Sequence, residues 1–279
     1  MRCLALLALC ACDAVFGIHN TRLEHGEVPI DAPFMCPTSG APTFSRQLQQ
    51  VVSVDCWSFT PSESSGLAAM ACHGGDFNSP ATDVAVVGSL ATGQDLTVVA
   101  MMTIGNFYDV IIDPEGDEIF TFGNDINAGT FPVGDLMRSG TEWTPATPPT
   151  FPWTWNLNDR VTSPTRGPDR RLLYYHYGLN DLTWYELRET APGTWTVERS
   201  HPELDQYLED PRLTPDGLAL IGRSGTDTTL FARRTSLGGD FDALVEVTSL
   251  PAAATYLALT ENCSRAYFYG LQNVFYAPQ

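Results

Sequence analysis

Asp210-Pro211-Arg212-Leu213-Thr214-Pro215-Asp216-Gly217-Leu218-Ala219-Leu220-Ile221-Gly222 compresses a short strand, a Pro-Asp-Gly turn and an apolar strand into thirteen residues. Proline presets one backbone angle of a tight turn, and glycine supplies the positive φ that most side chains resist. Flanked by apolar runs, that pair is a β-hairpin signature. The pattern recurs: residues 109–123 read DVIIDPEGDEIFTFG, residues 159–178 read DRVTSPTRGPDRRLLYYHYG, and residues 256–270 read YLALTENCSRAYFYG. A worn copy spans Cys56 to Cys72, with Thr60-Pro61 at its turn.

The turn residues Thr60, Asp113, Ser163, Thr214 and Thr260 follow one another at intervals of 53, 50, 51 and 46 residues. Such a period suits one four-stranded propeller blade per repeat. Third strands are expected at Leu182–Arg188 and Thr228–Arg234, and fourth strands at Thr194–Arg199 and Phe241–Val247. No segment sustains a 3.6-residue apolar period, so helix is expected to be minor. The last repeat has strands near Tyr256, at Arg265–Tyr269 and at Asn273–Ala277, and no fourth, which would leave a bare sheet edge. Phe44–Val52 precedes the first repeat and is the natural strand to fill that edge. The expected fold is all-β, a five-bladed propeller over residues 44–279 closed by an N-terminal strand. A six-bladed ring would need another blade within residues 12–43, where no hairpin signal occurs.

The N-terminus reads as a targeting segment. Arg2 supplies a positive charge, Leu4–Leu9 is a short apolar run, and Leu9-Cys10-Ala11-Cys12 resembles the lipobox of bacterial lipoproteins. The run is far below the ~20 apolar residues of a membrane span. The resemblance implies a signal peptide over residues 1–11, lipidation of Cys12, and an exported protein anchored to the membrane in the bacterial cell envelope. Residues 12–43 are polar and rich in Pro, Gly, Ser and Thr, the composition of a tether. Four cysteines remain beyond the anchor, an even number that suits disulfides in an oxidising compartment. Strand order in a closed ring brings Cys36 beside the bottom turn carrying Cys263, and Cys56 beside Cys72. The expected pairs are therefore Cys36–Cys263 and Cys56–Cys72. On a loop-entropy estimate the long-range bond contributes ~4–5 kcal/mol.

Asp210-Pro211 followed by Thr214-Pro215-Asp216-Gly217 resembles the repeat of TolB-type, WD40-like β-propellers, the PD40 repeat. The copy at Asp210 matches closely and that at Asp109 fairly; the copies at Asp159, Tyr256 and Cys56 have lost much of the turn motif. The resemblance implies a propeller and implies no reaction.

Composition narrows the function. Thirty-three acidic residues against 15 basic ones give a net charge of -18, which repels phosphate backbones and argues against nucleic acid as a partner. The chain has no lysine, which excludes Schiff-base chemistry and a phosphate-loop lysine. No cysteine or histidine spacing marks a metal site, no nucleophile elbow occurs, and no cofactor motif is present. The loop at Gly123–Asn127 lacks the spaced ligands of a calcium site. Asp109, Asp159 and Asp210 share one repeat position, four residues before the turn, where Cys56 and Tyr256 stand in the other two copies. At the start of the innermost strands they are candidates for ligand binding at the channel mouth. The reading that follows is a non-enzymatic, monomeric envelope propeller binding a protein or glycan. The alternative is a carbohydrate-active hydrolase, using two of these carboxylates with Phe151, Trp153 and Trp155 stacking on a sugar ring.

Overall fold

The computed structural model describes residues 36–52, 56–62, 64–73, 83–89, 97–103, 107–123, 133–146, 152, 160–177, 182–204, 206–252, 254–270 and 273–279. Among these the protein is all-β, with twenty strands in five four-stranded antiparallel sheets. The first sheet holds β2 (Cys56–Ser62), β3 (Leu67–His73), β4 (Asp83–Ser89) and β5 (Thr97–Thr103). The second holds β6 (Phe107–Ile112), β7 (Glu118–Gly123), β8 (Val133–Ser139) and β9 (Glu142–Pro145). The third holds β10 (Arg160–Gly167), β11 (Arg171–Tyr177), β12 (Leu182–Ala191) and β13 (Thr194–His201). The fourth holds β14 (Glu209–Leu213), β15 (Ala219–Arg223), β16 (Thr229–Arg233) and β17 (Val245–Glu246). The fifth holds β18 (Thr255–Leu259), β19 (Arg265–Gly270), β20 (Asn273–Pro278) and, from the front of the described chain, β1 (Gln49–Val52).

Within each sheet the strands follow in sequence, so every connection is a short antiparallel return. The edge strand that opens each sheet packs against the opening strands of two other sheets: β2 on β6, β6 on β10, β10 on β14, β14 on β18, and β18 on β2. That cyclic contact makes the arrangement propeller-like, with the opening strands innermost.

Side-chain alternation explains why the strands read as continuous apolar runs. In β6, Val110 and Ile112 join Ala69 and Ala71 of the first sheet, while Ile111 faces Leu172, Tyr174 and Leu187 of the third. In β11, Leu173 and Tyr175 point the other way, towards Leu213, Leu220 and Leu230 of the fourth sheet. Ile221 and Phe231 meet Leu257 and Phe268 of the fifth, whose Tyr267 and Tyr276 meet Phe59 and Met70 of the first. Each sheet is thus buried on both faces, and a period of two places successive side chains in different cores.

The turn that decided the fold is built as its sequence requires. The Thr214 hydroxyl accepts from the Ala219 amide at 2.9 Å, and the Asp216 carboxylate accepts from the Leu218 amide at 2.9 Å. Gly217 adopts φ +67°, where an added Cβ would come within 2.7 Å of Pro168 in the third sheet. Thr260 and Asn262 repeat the bonding in the fifth sheet, with Cys263 at φ 57° in the glycine place.

Two expected turns move. In the first sheet the turn follows Ser62, so Thr60 and Pro61 lie inside β2, paired with Ala69 and Ala68. In the third sheet it lies at residues 168–170, so Ser163 and Pro164 lie inside β10. The cause is common to both. Pro61, Pro164 and Pro211 all sit on opening strands, whose sheet-free side tolerates a residue without an N–H. A proline that reads as turn punctuation is here an edge-strand residue.

β1 pairs antiparallel with β20, placing Gln49 opposite Tyr276 and Gln50 opposite Phe275, and the Ser45 amide bonds to the Pro278 carbonyl at 2.6 Å. The closing strand is shorter than the expected 44–52, but it fills the expected edge. Disulfides join Cys36 to Cys263 and Cys56 to Cys72, the pairs that strand order implied. Residues 36–43, read as tether, include docked chain: Arg233 donates to the carbonyls of Cys36 and Pro37 at 2.9 and 2.6 Å. The signal segment, Cys12 and the rest of the tether lie outside the described residues.

Candidate functional site

The opening strands converge on a small group of polar side chains. β2 contributes Ser58 and Thr60, β6 contributes Asp109, β14 contributes Asp210 and Arg212, and β18 contributes Tyr256. Each of these strands carries a bulge near the residue in question: between Trp57 and Phe59, Phe107 and Asp109, Glu209 and Arg212, and Thr255 and Ala258. A bulge re-aims side chains that a regular pleat would send into the sheet interfaces. Ser58, Asp210 and Tyr256 accordingly adopt φ values of 55°, 47° and 48°. For tyrosine in particular that is an unfavourable backbone, tolerated where the surroundings hold it.

Arg212 dominates the centre. Its strand packs against β10 and β18, yet its fully buried guanidinium reaches two other strands. It donates to the Asp109 carboxylate at 2.5 Å, to the Ser58 hydroxyl at 3.2 Å and to the Thr60 hydroxyl at 3.3 Å. Ser58 donates to Asp109 in turn, and the Val110 amide bonds to the same Asp109 oxygen at 2.9 Å. Three donors thus converge on one oxygen of the Asp109 carboxylate, the kind of pairing that buried polar groups need.

Asp210 differs. No described residue hydrogen-bonds to its carboxylate. Burial, reinforced by the negative charge of Asp109 and only partly offset by Arg212, pushes its pKa from 3.8 up to about 6. Arg223, the other nearby cation, is engaged by Glu209 at 2.5 Å and Asp227 at 3.2 Å. The Tyr256 hydroxyl also has no hydrogen-bonding partner among the described residues, and burial together with Asp210 and Asp109 raises its pKa. The Tyr256 ring stands edge-on to Tyr269, centroids 6.3 Å apart.

Of the three expected carboxylates the structure brings Asp109 and Asp210 together. Asp159 lies outside the described residues, and the register of β10 puts the equivalent bulge between Thr162 and Thr165, downstream of it. The shift follows from the misread turn in that repeat. The same correction moves the first-sheet position from Cys56, which is consumed in a disulfide, to Ser58. Phe151, Trp153, Trp155 and Asn124–Asn127 also lie outside the described residues. Among the described residues no group of three metal-ligating side chains occurs.

A second buried charge centre was not legible in sequence. Glu186 of β12 receives two bonds from Arg234, each 2.9 Å, and lies 3.3 Å from His201 Nε2 and 3.5 Å from Arg171. His201 Nδ1 meets Glu203 at 2.7 Å, and Arg234 lies 4.7 Å over the Phe241 ring. Burial alone would raise the pKa of Glu186, but the bonds from His201 and Arg234 outweigh it and hold the group at about 2. Arg234 also donates to the Gly217 carbonyl at 2.8 Å. This node clamps the third sheet to the fourth.

No family model and no curated sequence matches the chain. Solved structures of similar outline include a protein from Lactobacillus plantarum (TM-score 0.43, 12% identity, 80% of this chain and 70% of that one). An oligogalacturonate lyase in complex with manganese is similar at TM-score 0.44, 10% identity, over 81% of this chain and 66% of that one. A gluconolactonase from Xanthomonas campestris is similar at TM-score 0.42, 13% identity, over 76% of this chain and 68% of that one. The chain spans about two thirds of the length of each. Two disulfides in one chain are consistent with an exported, non-cytoplasmic protein.

Proposed function

We propose that the protein is an exported, lipid-anchored propeller of the bacterial envelope, of the TolB type, that binds a protein or glycan without transforming it. The ring has five blades, a count supported by the cyclic packing of β2, β6, β10, β14 and β18. Cys12 carries the lipid, and the segment beginning at Cys36 is fixed to the propeller by the Cys36–Cys263 disulfide and Arg233.

One observation carries the non-enzymatic reading. Glycoside hydrolysis needs two available carboxyl groups, one acid and one base or nucleophile. Asp109, the partner Asp210 would require, is committed to Arg212, Ser58 and the Val110 amide. The central carboxylates thus offer one group without a hydrogen-bonding partner and one tied into a structural network. The test is a glycan array and envelope-fragment binding assay on the anchored protein, with product release followed in the same samples. Retained ligand without product supports the reading; sugar release that disappears in both Asp109→Asn and Asp210→Asn would establish the hydrolase instead. Lipidation is checked by labelling with an alkyne fatty acid, which Cys12→Ser should abolish.

A further inference from the structure

The Glu186 node, the Arg166–Glu118 bridge stacked on Phe120 and Trp195, and the Arg212–Asp109 pair all have complementary partners. Asp210 and Tyr256 differ from these ion pairs. They occupy one register position on adjacent innermost strands, both half-buried and both on left-handed backbone. A carboxylate and a phenol thus stand side by side, partly withdrawn from water, with no hydrogen-bonding partner among the described residues. Water still reaches both half-buried side chains, and since no described residue engages either of them, both are available to a partner from outside the chain.

The charges around them say which kind. Asp210 faces Asp109 from β6, Arg212 and Glu209 on its own strand, Arg223 from β15 and Tyr256 from β18. Arg212 is neutralised by Asp109, and Arg223 by Glu209 and Asp227. Two negative charges are left over, one shared by Glu209 and Asp227 around Arg223 and one on Asp210, which couples to Tyr256, whose ring packs edge-on against Tyr269. An anion is repelled there, and a neutral donor leaves the charge uncompensated. An ammonium group supplies positive charge, N–H donors for the Asp210 carboxylate and the Tyr256 oxygen, and a cation for the aromatic faces.

We propose that Asp210 and Tyr256 form a receptor for a primary ammonium group, carried either by a free amine or by the lysine side chain of a bound partner. The chain has no lysine of its own to occupy the site. The inference rests on the reading that the ring centre binds rather than catalyses, and it names the group recognised.

The test is calorimetric titration of the full protein at pH 8 with two amine probes, ethanolamine and Nα-acetyl-lysine methylamide. Tetramethylammonium, a cation without N–H donors, and glucose, a neutral polyol, serve as comparators. The expected result is binding of at least one amine, weakening by about tenfold or more in Asp210→Asn, as loss of a charge-assisted bond requires. Tyr256→Phe should weaken it less, and binding should fade between pH 8 and pH 5 as Asp210 takes up its own proton. Preference for ethanolamine identifies a free amine as the source, and preference for the lysine derivative a protein partner. No binding of either amine, binding untouched by Asp210→Asn, or equal binding of tetramethylammonium would overturn the proposal. Glucose binding without amine binding overturns this inference alone, whereas product formation from a glycan overturns the binding reading beneath it.

Discussion

Glu186 and Asp210 are both acidic side chains withdrawn from water near sheet junctions, and their titration moves in opposite directions. Glu186 is ringed by Arg234, Arg171 and His201 and is held at about 2. Asp210 has the negative neighbours Asp109 and Glu209, finds Arg212 and Arg223 already engaged, and is pushed up to about 6. Burial acts on both in the same sense, so the difference lies in the supply of partners. A carboxylate with paired donors is accommodated by the fold; one with none weakens it, and that difference underlies the ammonium receptor proposed at Asp210.

The contrast has a definite pH signature. Glu186 has a folded pKa below its ordinary 4.5, so its contribution is fully present above that value and is lost as pH falls towards 2. Asp210 has a folded pKa above its ordinary 3.8, so its penalty is absent below pH 3.8 and complete above about 6. Stability should therefore decline as pH rises through the window between those two values, and decline again in strong acid.

Substitutions sharpen the comparison, and the largest effect belongs to the clamp. Glu186→Gln leaves Arg234 buried without its counter-ion and should cost about 3–5 kcal/mol in denaturant unfolding at pH 7. Asp210→Asn should do the reverse, adding about 1–3 kcal/mol at pH 8 and nothing at pH 3.5, a pH dependence that the same denaturation series detects. Gly217→Ala attacks the clamp indirectly, because the new Cβ meets Pro168 in a turn whose carbonyl holds Arg234. It should cost about 1–2 kcal/mol, read as a lowered melting temperature. Smallest is Arg223→Gln. Removing a partly exposed pair should change stability by less than about 1 kcal/mol, yet raise the Asp210 midpoint further, which NMR titration would register.

Sequence reading reached the fold further than the site, for physical reasons. Hairpin turns announce themselves through Thr214, Asp216 and Gly217, whose bonds are local, and the vacant edge beside Asn273–Pro278 follows from counting strands. The disulfide pairs follow from strand order in the same way. Asp109 and Asp210 were visible because the repeat itself carries them. Tyr256 was seen to occupy their position, but nothing local marked its backbone as left-handed. Ser58 was hidden by reading Pro61 as a turn residue, when an edge strand accommodates it, and the same reading of Pro164 misplaced the third repeat. Arg212 lies 103 residues from Asp109, and Arg234 lies 48 from Glu186. Such pairs leave no trace in any local window, since only the packing of separate sheets brings them together.

The most direct measurement is a carbon-detected NMR titration of the side-chain carboxyls of the intact protein, from pH 8 downwards. The account predicts that Asp210 takes up its proton near pH 6 while Glu186 remains ionised until close to pH 2. Both groups titrating together near pH 4 would contradict it, since Asp210 would then be neither starved of partners nor set apart from the clamp.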